Sequence, residues 1–284
     1  MSAATPFHTA ADRARRMALY AYCAVVFVFL VAPILAIAPL SFNSGSFLSY
    51  PLDGFSLRWY AELFGSRGWG TAFRNSLLVA IAATGLATPL GTLAALGLAR
   101  MSGAFKPLAI AVLLSPMFVP IIIVAVAVYF LYAPLGLTNS YLGLVLAHTT
   151  LATPFVVIVV HASLQGVDSS LLRAAASLGA PPMEAFFRVL LPLIAPGAVA
   201  GAIFAFMTSF DEIVVAMFLA GATQKTLPLQ MWDGVRDQIS PAITAAATLL
   251  TVTSVLLLGV VEVMRQRRAR LYGKVSGRED LTGS

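Results

Sequence analysis

Apolar residues fall into six long runs, Leu19–Leu40, Leu77–Leu98, Pro107–Leu131, Leu142–Leu164, Leu193–Leu219 and Ile243–Val263, and the segments between them carry most of the charges. Each run reaches the ~20 residues that a helix needs to cross the hydrocarbon core of a bilayer. None alternates apolar and polar residues as a barrel strand does, and open strand edges find no partners in hydrocarbon, so all six are predicted to be helices. The predicted organisation is an amino-terminal tail (1–18), a first span (19–40), an outer segment (41–73), a membrane domain (74–263) and a basic tail (264–284). Within the domain the spans are 77–98, 107–131, 142–164, 193–219 and 243–263, and a loop of residues 165–192 joins the fourth span to the fifth. The fold class is all-α and polytopic, with six transmembrane helices.

Composition identifies the solvent. Of the 284 residues, 59% are hydrophobic and 11% charged, with a mean hydropathy of +0.89, whereas a soluble domain carries about 25% charged residues. Too few charges remain to cover a soluble core of this size, so lipid must solvate most of the chain. The single cysteine, Cys23, excludes a disulfide scaffold and paired-thiol redox chemistry within one chain. Arg13, Arg15 and Arg16, ahead of an apolar stretch ending Ala36-Ile37-Ala38, have the outline of a cleaved signal peptide. The run is too long for one and Pro39 would follow the scissile bond, so the segment is expected to stay as a membrane anchor.

Charge placement orients the spans. With the amino terminus in the cytoplasm, thirteen of the 18 Lys and Arg residues fall inside, among them Arg100, Lys106, Arg173, Arg188 and the cluster around Arg265 to Arg270. Arg58, Arg67, Arg74, Lys225 and Arg236 fall outside. By the positive-inside rule both termini are cytoplasmic. The same distribution accounts for the net charge of +6 and the pI near 9.8. The basic cluster directly follows a span and has no aromatic stacking platform, so it reads as a topology anchor near lipid headgroups and not as a nucleic-acid site.

Two connections exceed what neighbouring spans require. The outer one carries Phe55-Ser56-Leu57-Arg58-Trp59-Tyr60-Ala61-Glu62-Leu63-Phe64, whose apolar positions fit a short interfacial helix with Trp59 and Tyr60 at headgroup level. The inner one opens with Asp168, a good N-cap, continues through Ala174-Ala175-Ala176, and reaches Gly179, where a left-handed C-terminal stop belongs. Pro181 and Pro182 then suit the first turn of a second helix, with Phe186, Phe187, Leu190 and Leu191 on one face before Pro192 leads back into the membrane. Two short helices around a glycine turn make a compact knob, suited either to a groove on a partner or to folding against its own bundle.

The pattern Ala174-Ala175-x-x-x-Gly179, with Val189-x-Leu191-Pro192 after nine residues, resembles the Glu-Ala-Ala loop by which permease subunits of binding-protein-dependent ABC importers engage their ATPase. Further stretches, Phe55 to Tyr60, Arg74-Asn75-Ser76, Ser209 to Val215 and Thr226 to Trp232, are similar to the spermidine and putrescine group of those permeases. The resemblance implies the type I ABC importer permease fold in a bacterial inner membrane. It also implies assembly with a second permease, two ATPase subunits at the cytoplasmic loop and a periplasmic solute-binding protein. On that basis Asp168, Arg173, Ala174, Ala175, Ser177, Gly179, Leu191 and Pro192 are the expected ATPase-coupling residues. Arg173 stands where the family usually has glutamate, so its partner on the ATPase must differ or the arginine is solvated.

At membrane depth only Asp211 and Glu212 stand out as ionisable, and a charge stranded there costs at least about 2.5 kcal/mol. Counted along a helix from Pro196, Asp211 lies 15 residues on, or about 22 Å. On an unbroken helix the two carboxylates diverge by about 100°, with Thr208 beside Asp211 and Ser209 beside Glu212. One pair then lines a path for a cationic solute and the other anchors the helix; alternatively the fifth helix ends here and both acids are solvated. The expected path residues are Ser209, Asp211 and Glu212, with Trp59 and Trp232 as gates at the outer mouth or as interfacial anchors.

Nothing points to a metal or a cofactor: His148 and His161 are too far apart to share a ligand face, and no Gly-rich phosphate loop is present. The chain is therefore expected to be a transport subunit and no enzyme, with ATP hydrolysis on a partner chain. The resemblance implies a polyamine or a similar amino compound as cargo, while opines, amino-acid derivatives and ferric iron complexes stay open because Ser115 to Pro120 lacks an acidic residue. An ion-coupled secondary transporter is the rival class, though no internal repeat is evident.

Overall fold

The computed structural model describes residues 10–237 and 241–256, with Gly259 and Val263. Among these residues the only strand-like pairing is one isolated bridge between Asn43 and Phe55, and the rest of the regular structure is helical. Four stretches are single helices long and apolar enough to cross a membrane, and a sharply bent pair makes a candidate fifth. The sixth run is described as a helix from Pro241 to Leu256, and its predicted remainder to residue 263 lies largely outside the described residues. The basic tail, 264–284, lies wholly outside them.

The chain divides into two compact units, Met1–Leu63 with Gln238–Leu249, and Phe64–Asp237 with Leu250–Ser284. In the first, α1 (Ala10–Leu40) exposes Phe27, Phe29 and Leu30, as hydrocarbon solvent permits. After it the chain folds back on itself. Asn43 Oδ1 accepts from the amides of Gly45 and Asp53, and Phe42 stacks on Phe55 with ring centroids 5.2 Å apart. The short α2 (Arg58–Gly65) begins three residues later than the start of the predicted interfacial segment. Its Trp59 is buried, not exposed at a headgroup surface, because the indole N–H finds the Asn43 carbonyl at 2.7 Å. A buried indole needs such an acceptor.

In the second unit, α3 (Arg67–Arg100), α6 (Tyr141–Gln165) and the helix α9 (Leu191–Phe210) pack on one another. Small residues set how closely they approach. A Cβ added at Gly91 on α3 would lie 2.6 Å from Cβ of Val156 on α6, and one added at Gly201 on α9 would lie 3.1 Å from the Val156 Cα. Val156 is thus held between two glycines, and it sits in a core with Ala87, Ala152, Val160, Ile194 and Ala205. A second core of Val79, Ala125, Leu144, Leu151, Val215 and Leu219 lies around the other end of α6.

Two predicted spans are interrupted. The third divides into α4 (Phe105–Phe118) and α5 (Ile121–Tyr132), bent by 102°. Pro120 forces Val119 into extended backbone (φ −77°, ψ 133°) and removes a backbone donor, which ends one helix and starts another. The fifth ends as a helix at Phe210 and resumes as α10 (Val214–Leu219). Its start also differs from the prediction. Between α6 and α9 lie α7 (Ser169–Ser177), α8 (Pro182–Ala185) and a π-helical turn, Phe186–Leu190, and α8, the turn and α9 form one continuous helical stretch, Pro182–Phe210. Pro192 therefore does not separate loop from span. In the wider turn the Leu191 amide reaches back to the Phe186 carbonyl, which relaxes the crowding a proline imposes on the preceding turn. The last described helices are α11 (Leu227–Asp237) and α12 (Pro241–Leu256).

Candidate functional site

The two interruptions converge on a cavity of about 760 Å³ in the second unit. From the α4–α5 bend come Pro116, Met117, Phe118 and Pro120; from the end of α9 come Phe206, Met207 and Phe210; Phe155 of α6 adds another wall. Phe206 and Phe210 stack at 5.3 Å with an interplanar angle of 17°. Asp211 and Glu212 both line the cavity, and they differ in what they face. Asp211 is exposed, whereas Glu212 is buried.

That difference follows from the broken helix. Leaving α9 as its C-cap, Asp211 has no succeeding turn to cover it. Glu212 lies just ahead of α10, and its carboxylate oxygens accept from the amides of Val215 at 2.8 Å and Ala216 at 3.0 Å. Those amides would otherwise be unpaired at a helix start, and a carboxylate there is also favoured by the helix dipole. Asp211 still follows the helical path of Thr208, its amide bonded to the Met207 carbonyl, whereas the pair Ser209–Glu212 expected on a continuous helix is not set by helical spacing. Ser209, buried in the last turn of α9, turns instead to His148 of α6, whose Nδ1 lies 2.8 Å from the Ser209 hydroxyl.

Of the other expected path residues, Trp59 belongs to the amino-terminal unit and Trp232 is an exposed residue of α11, and neither is among the cavity-lining residues. Sequence reading missed the aromatic and thioether walls, because phenylalanine and methionine inside an apolar run look like any lipid-facing or core residue. Pro116 and Pro120, four apart in a run that otherwise reads as one helix, were the available signal.

The segment between α6 and α9 brings six of the eight expected coupling residues onto α7 and its flanking cap and turn. Asp168 caps α7, accepting from the Ser170 amide at 2.8 Å, and this hydrogen bond holds its carboxyl below the usual carboxylate range. Arg173 donates to Ser169 Oγ at 2.7 Å and Ser177 Oγ to the Arg173 carbonyl at 3.0 Å, so the arginine has a partner on its own helix. Gly179 has φ +85°, the left-handed stop that lets the chain reverse. Ala174 and Ala175 lie on α7, with Leu178, Met183 and Phe187 exposed around the turn. Leu191 and Pro192 lie a helical stretch away, at the start of α9.

Across the far end of the unit, Asn75 and Ser76 of α3 tie down the segment before α11. Asn75 Nδ2 donates to the carbonyls of Thr223 and Lys225, each at 2.9 Å, and Ser76 Oγ accepts from the Leu227 amide at 2.7 Å. Lys225 pairs with Asp233 at 2.6 Å.

Residues 87–270 match the family model described as binding-protein-dependent transport system inner membrane component. The chain is 32% identical over 236 residues to the spermidine/putrescine transport system permease protein PotC of Escherichia coli, covering 83% of this chain and 89% of that protein. It is 34% identical over 231 residues to the putrescine transport system permease protein PotI of Escherichia coli, covering 79% of this chain and 82% of the other. Among solved structures, a chain of a bacterial alginate ABC transporter in complex with an alginate pentasaccharide-bound periplasmic protein superposes with a TM-score of 0.68 at 18% identity, covering 92% of this chain and 98% of that one. A chain of an amino acid ABC transporter superposes with a TM-score of 0.55 at 18% identity, covering 73% and 95%.

Proposed function

The chain belongs to the family of binding-protein-dependent transport system inner membrane components, and from that membership we propose that it is a permease subunit of an ATP-driven ABC importer, forming half of a translocation path for a small cationic amine. Polyamines are the first candidates, because relatives alike over most of the chain are named as spermidine/putrescine and putrescine permeases. The carrying observation is the cavity between the two broken spans, whose lining holds an exposed Asp211 together with the stacked pair Phe206 and Phe210. A carboxylate offers an ammonium group a charge-assisted hydrogen bond, and aromatic faces attract the same cation while accommodating methylene spacers.

The remaining parts follow. A second permease supplies the other half of the path, a periplasmic binding protein delivers the solute, and two ATPase subunits receive the knob formed by α7 and the Gly179 turn on the cytoplasmic side. Asp168, Arg173, Ala174, Ala175, Ser177 and Gly179 make the grip, and the helical stretch Pro182–Phe210, through Leu191 and Pro192, carries motion from the grip to Asp211. Because that stretch is continuous from Pro182, a displacement passed through the short turn at Gly179 reaches the cavity wall along one helical body. Arg173 keeps its own partner in Ser169, so docking rests on shape and the exposed apolar side chains around the turn.

Broken spans around a binding cavity are also used by ion-coupled carriers, and one experiment separates the two. Proteoliposomes holding the assembled importer and its binding protein are given radiolabelled putrescine, with ATP inside or omitted and with or without a protonophore. ATP-dependent uptake that ignores the protonophore is expected; uptake without ATP that collapses with the proton gradient overturns the proposal.

A further inference from the structure

One buried imidazole touches both sides of the break in the fifth span. His148 on α6 is fully buried. Its Nδ1 lies 2.8 Å from Oγ and 3.1 Å from the carbonyl of Ser209, in the last turn of α9. Its Nε2 lies 3.6 Å from Oε2 of Glu212, just beyond the break. That separation suits an electrostatic contact and is too long for a hydrogen bond, and among the described residues Nε2 has no hydrogen-bond partner. Asp211, which faces the cavity, sits between the two residues the imidazole contacts.

Acceptors surround the ring on both sides. An ionised Glu212 has only lone pairs to offer, and both of its oxygens already hold amides of α10. A bare imidazole nitrogen turned toward it would set lone pair against lone pair in a dry site. The Ser209 carbonyl, 3.1 Å from Nδ1, is likewise an acceptor only, so both ring nitrogens face acceptors, and the Ser209 hydroxyl, which can donate or accept, adapts to either tautomer. In this arrangement the imidazole is a strut. It fixes the end of α9 through Ser209 and the start of α10 through Glu212, and so sets the direction in which Asp211, one of the two intervening residues, points. Simple core packing needs none of these polar contacts, since leucine would fill a similar volume.

We propose that His148 is a positioning residue that holds the break in the fifth span so that residue 211 projects into the cavity. Its importance for transport rests on the reading of Asp211 as the cargo carboxylate; its effect on where residue 211 points does not. Thiol labelling in native membranes measures that direction. With Cys23, which lies open on α1, replaced by serine, Asp211→Cys is the sole thiol. Its rate of reaction with a trimethylammonium methanethiosulfonate reagent reports access from the aqueous cavity.

Adding His148→Leu is expected to slow labelling about tenfold, since loss of one buried polar partner shifts a local equilibrium by about that factor. His148→Gln, which keeps a polar side chain between Ser209 and Glu212, is expected to restore most of the rate. Ser209→Ala, which removes only the hydroxyl, is expected to slow it several-fold, and carries the test if His148→Leu fails to accumulate in the membrane. Unchanged labelling in both His148→Leu and Ser209→Ala overturns the proposal, as does equal slowing by His148→Gln and His148→Leu. Should labelling respond to His148 while Asp211→Asn leaves putrescine uptake untouched, the cargo assignment fails and the strut stands.

Discussion

Tyr141 donates its hydroxyl proton to Oδ1 of Asn75 across 2.8 Å, joining the start of α6 to α3. Asn75 is buried and spends its amide protons on the carbonyls of Thr223 and Lys225, so three segments meet at one side chain. Replacing Asn75 with leucine takes this donor from the Lys225 carbonyl and leaves the Thr223 carbonyl to the Tyr141 hydroxyl at 3.1 Å, at a cost of about 1–3 kcal/mol for a buried acceptor that water does not reach. The expected outcome is a lowered melting temperature in detergent, with a smaller loss for Tyr141→Phe. Equal melting of the Asn75→Leu variant and the parent removes this knot from the account.

Val156 fills the space that two missing side chains provide at Gly91 and Gly201. Gly201→Leu must push α9 away from α6, and overpacking of this kind costs about 1–3 kcal/mol or more. A fall in folded yield is expected, and a compensating Val156→Ala in the same chain should recover part of it. No recovery would mean that the helices are not held at this contact.

At Gly179 the backbone is left-handed, but a Cβ would meet nothing within 4 Å. Gly179→Glu is therefore expected to insert and accumulate like the parent, with a local backbone penalty of about 1 kcal/mol, while losing ATP-driven uptake. Solute-stimulated ATPase activity of the assembled importer should be lost with it. Normal uptake in such a variant would sink the assignment of α7 and its turn as the grip on the ATPase.

The Asp168 cap gives the knob a pH dependence of defined sign. Hydrogen bonding from Ser170 holds the folded carboxyl below its usual range, so its contribution to α7 is present above the ordinary carboxylate value and is lost as pH falls through the lower, folded one. Hydrogen exchange of the α7 amides, corrected for intrinsic rate, should lose protection on acidification, and Asp168→Ala should abolish that pH response. A response that survives in Asp168→Ala belongs to another group.

Long apolar periodicity made the helical class and the α7 knob legible, because lipid leaves helices as the available solution and the Asp168 cap and Gly179 stop are local signals. The interruptions were harder to read. Residues 213–219 continue an apolar run, so nothing in hydropathy marks the end of α9 at Phe210. The mark is Glu212, an acidic residue at the start of a new helix, whose role shows only when Val215 and Ala216 turn their amides toward it. Likewise the bend at Val119–Pro120 was written in a proline, yet proline is common enough in membrane helices that its presence at Pro33, Pro89 and Pro154 breaks nothing. His148 could not be placed at all without the fold, since its partners lie 61 residues away.

The most direct measurement compares the parent importer with its Asp211→Asn variant in ATP-driven putrescine uptake by proteoliposomes at equal permease content. Removing one charged hydrogen-bond partner is expected to raise KM by about 10- to 100-fold, with ATP dependence preserved. Indistinguishable KM and maximal rate in the two would contradict the account, because the one exposed carboxylate in the cavity would then have no part in moving the solute.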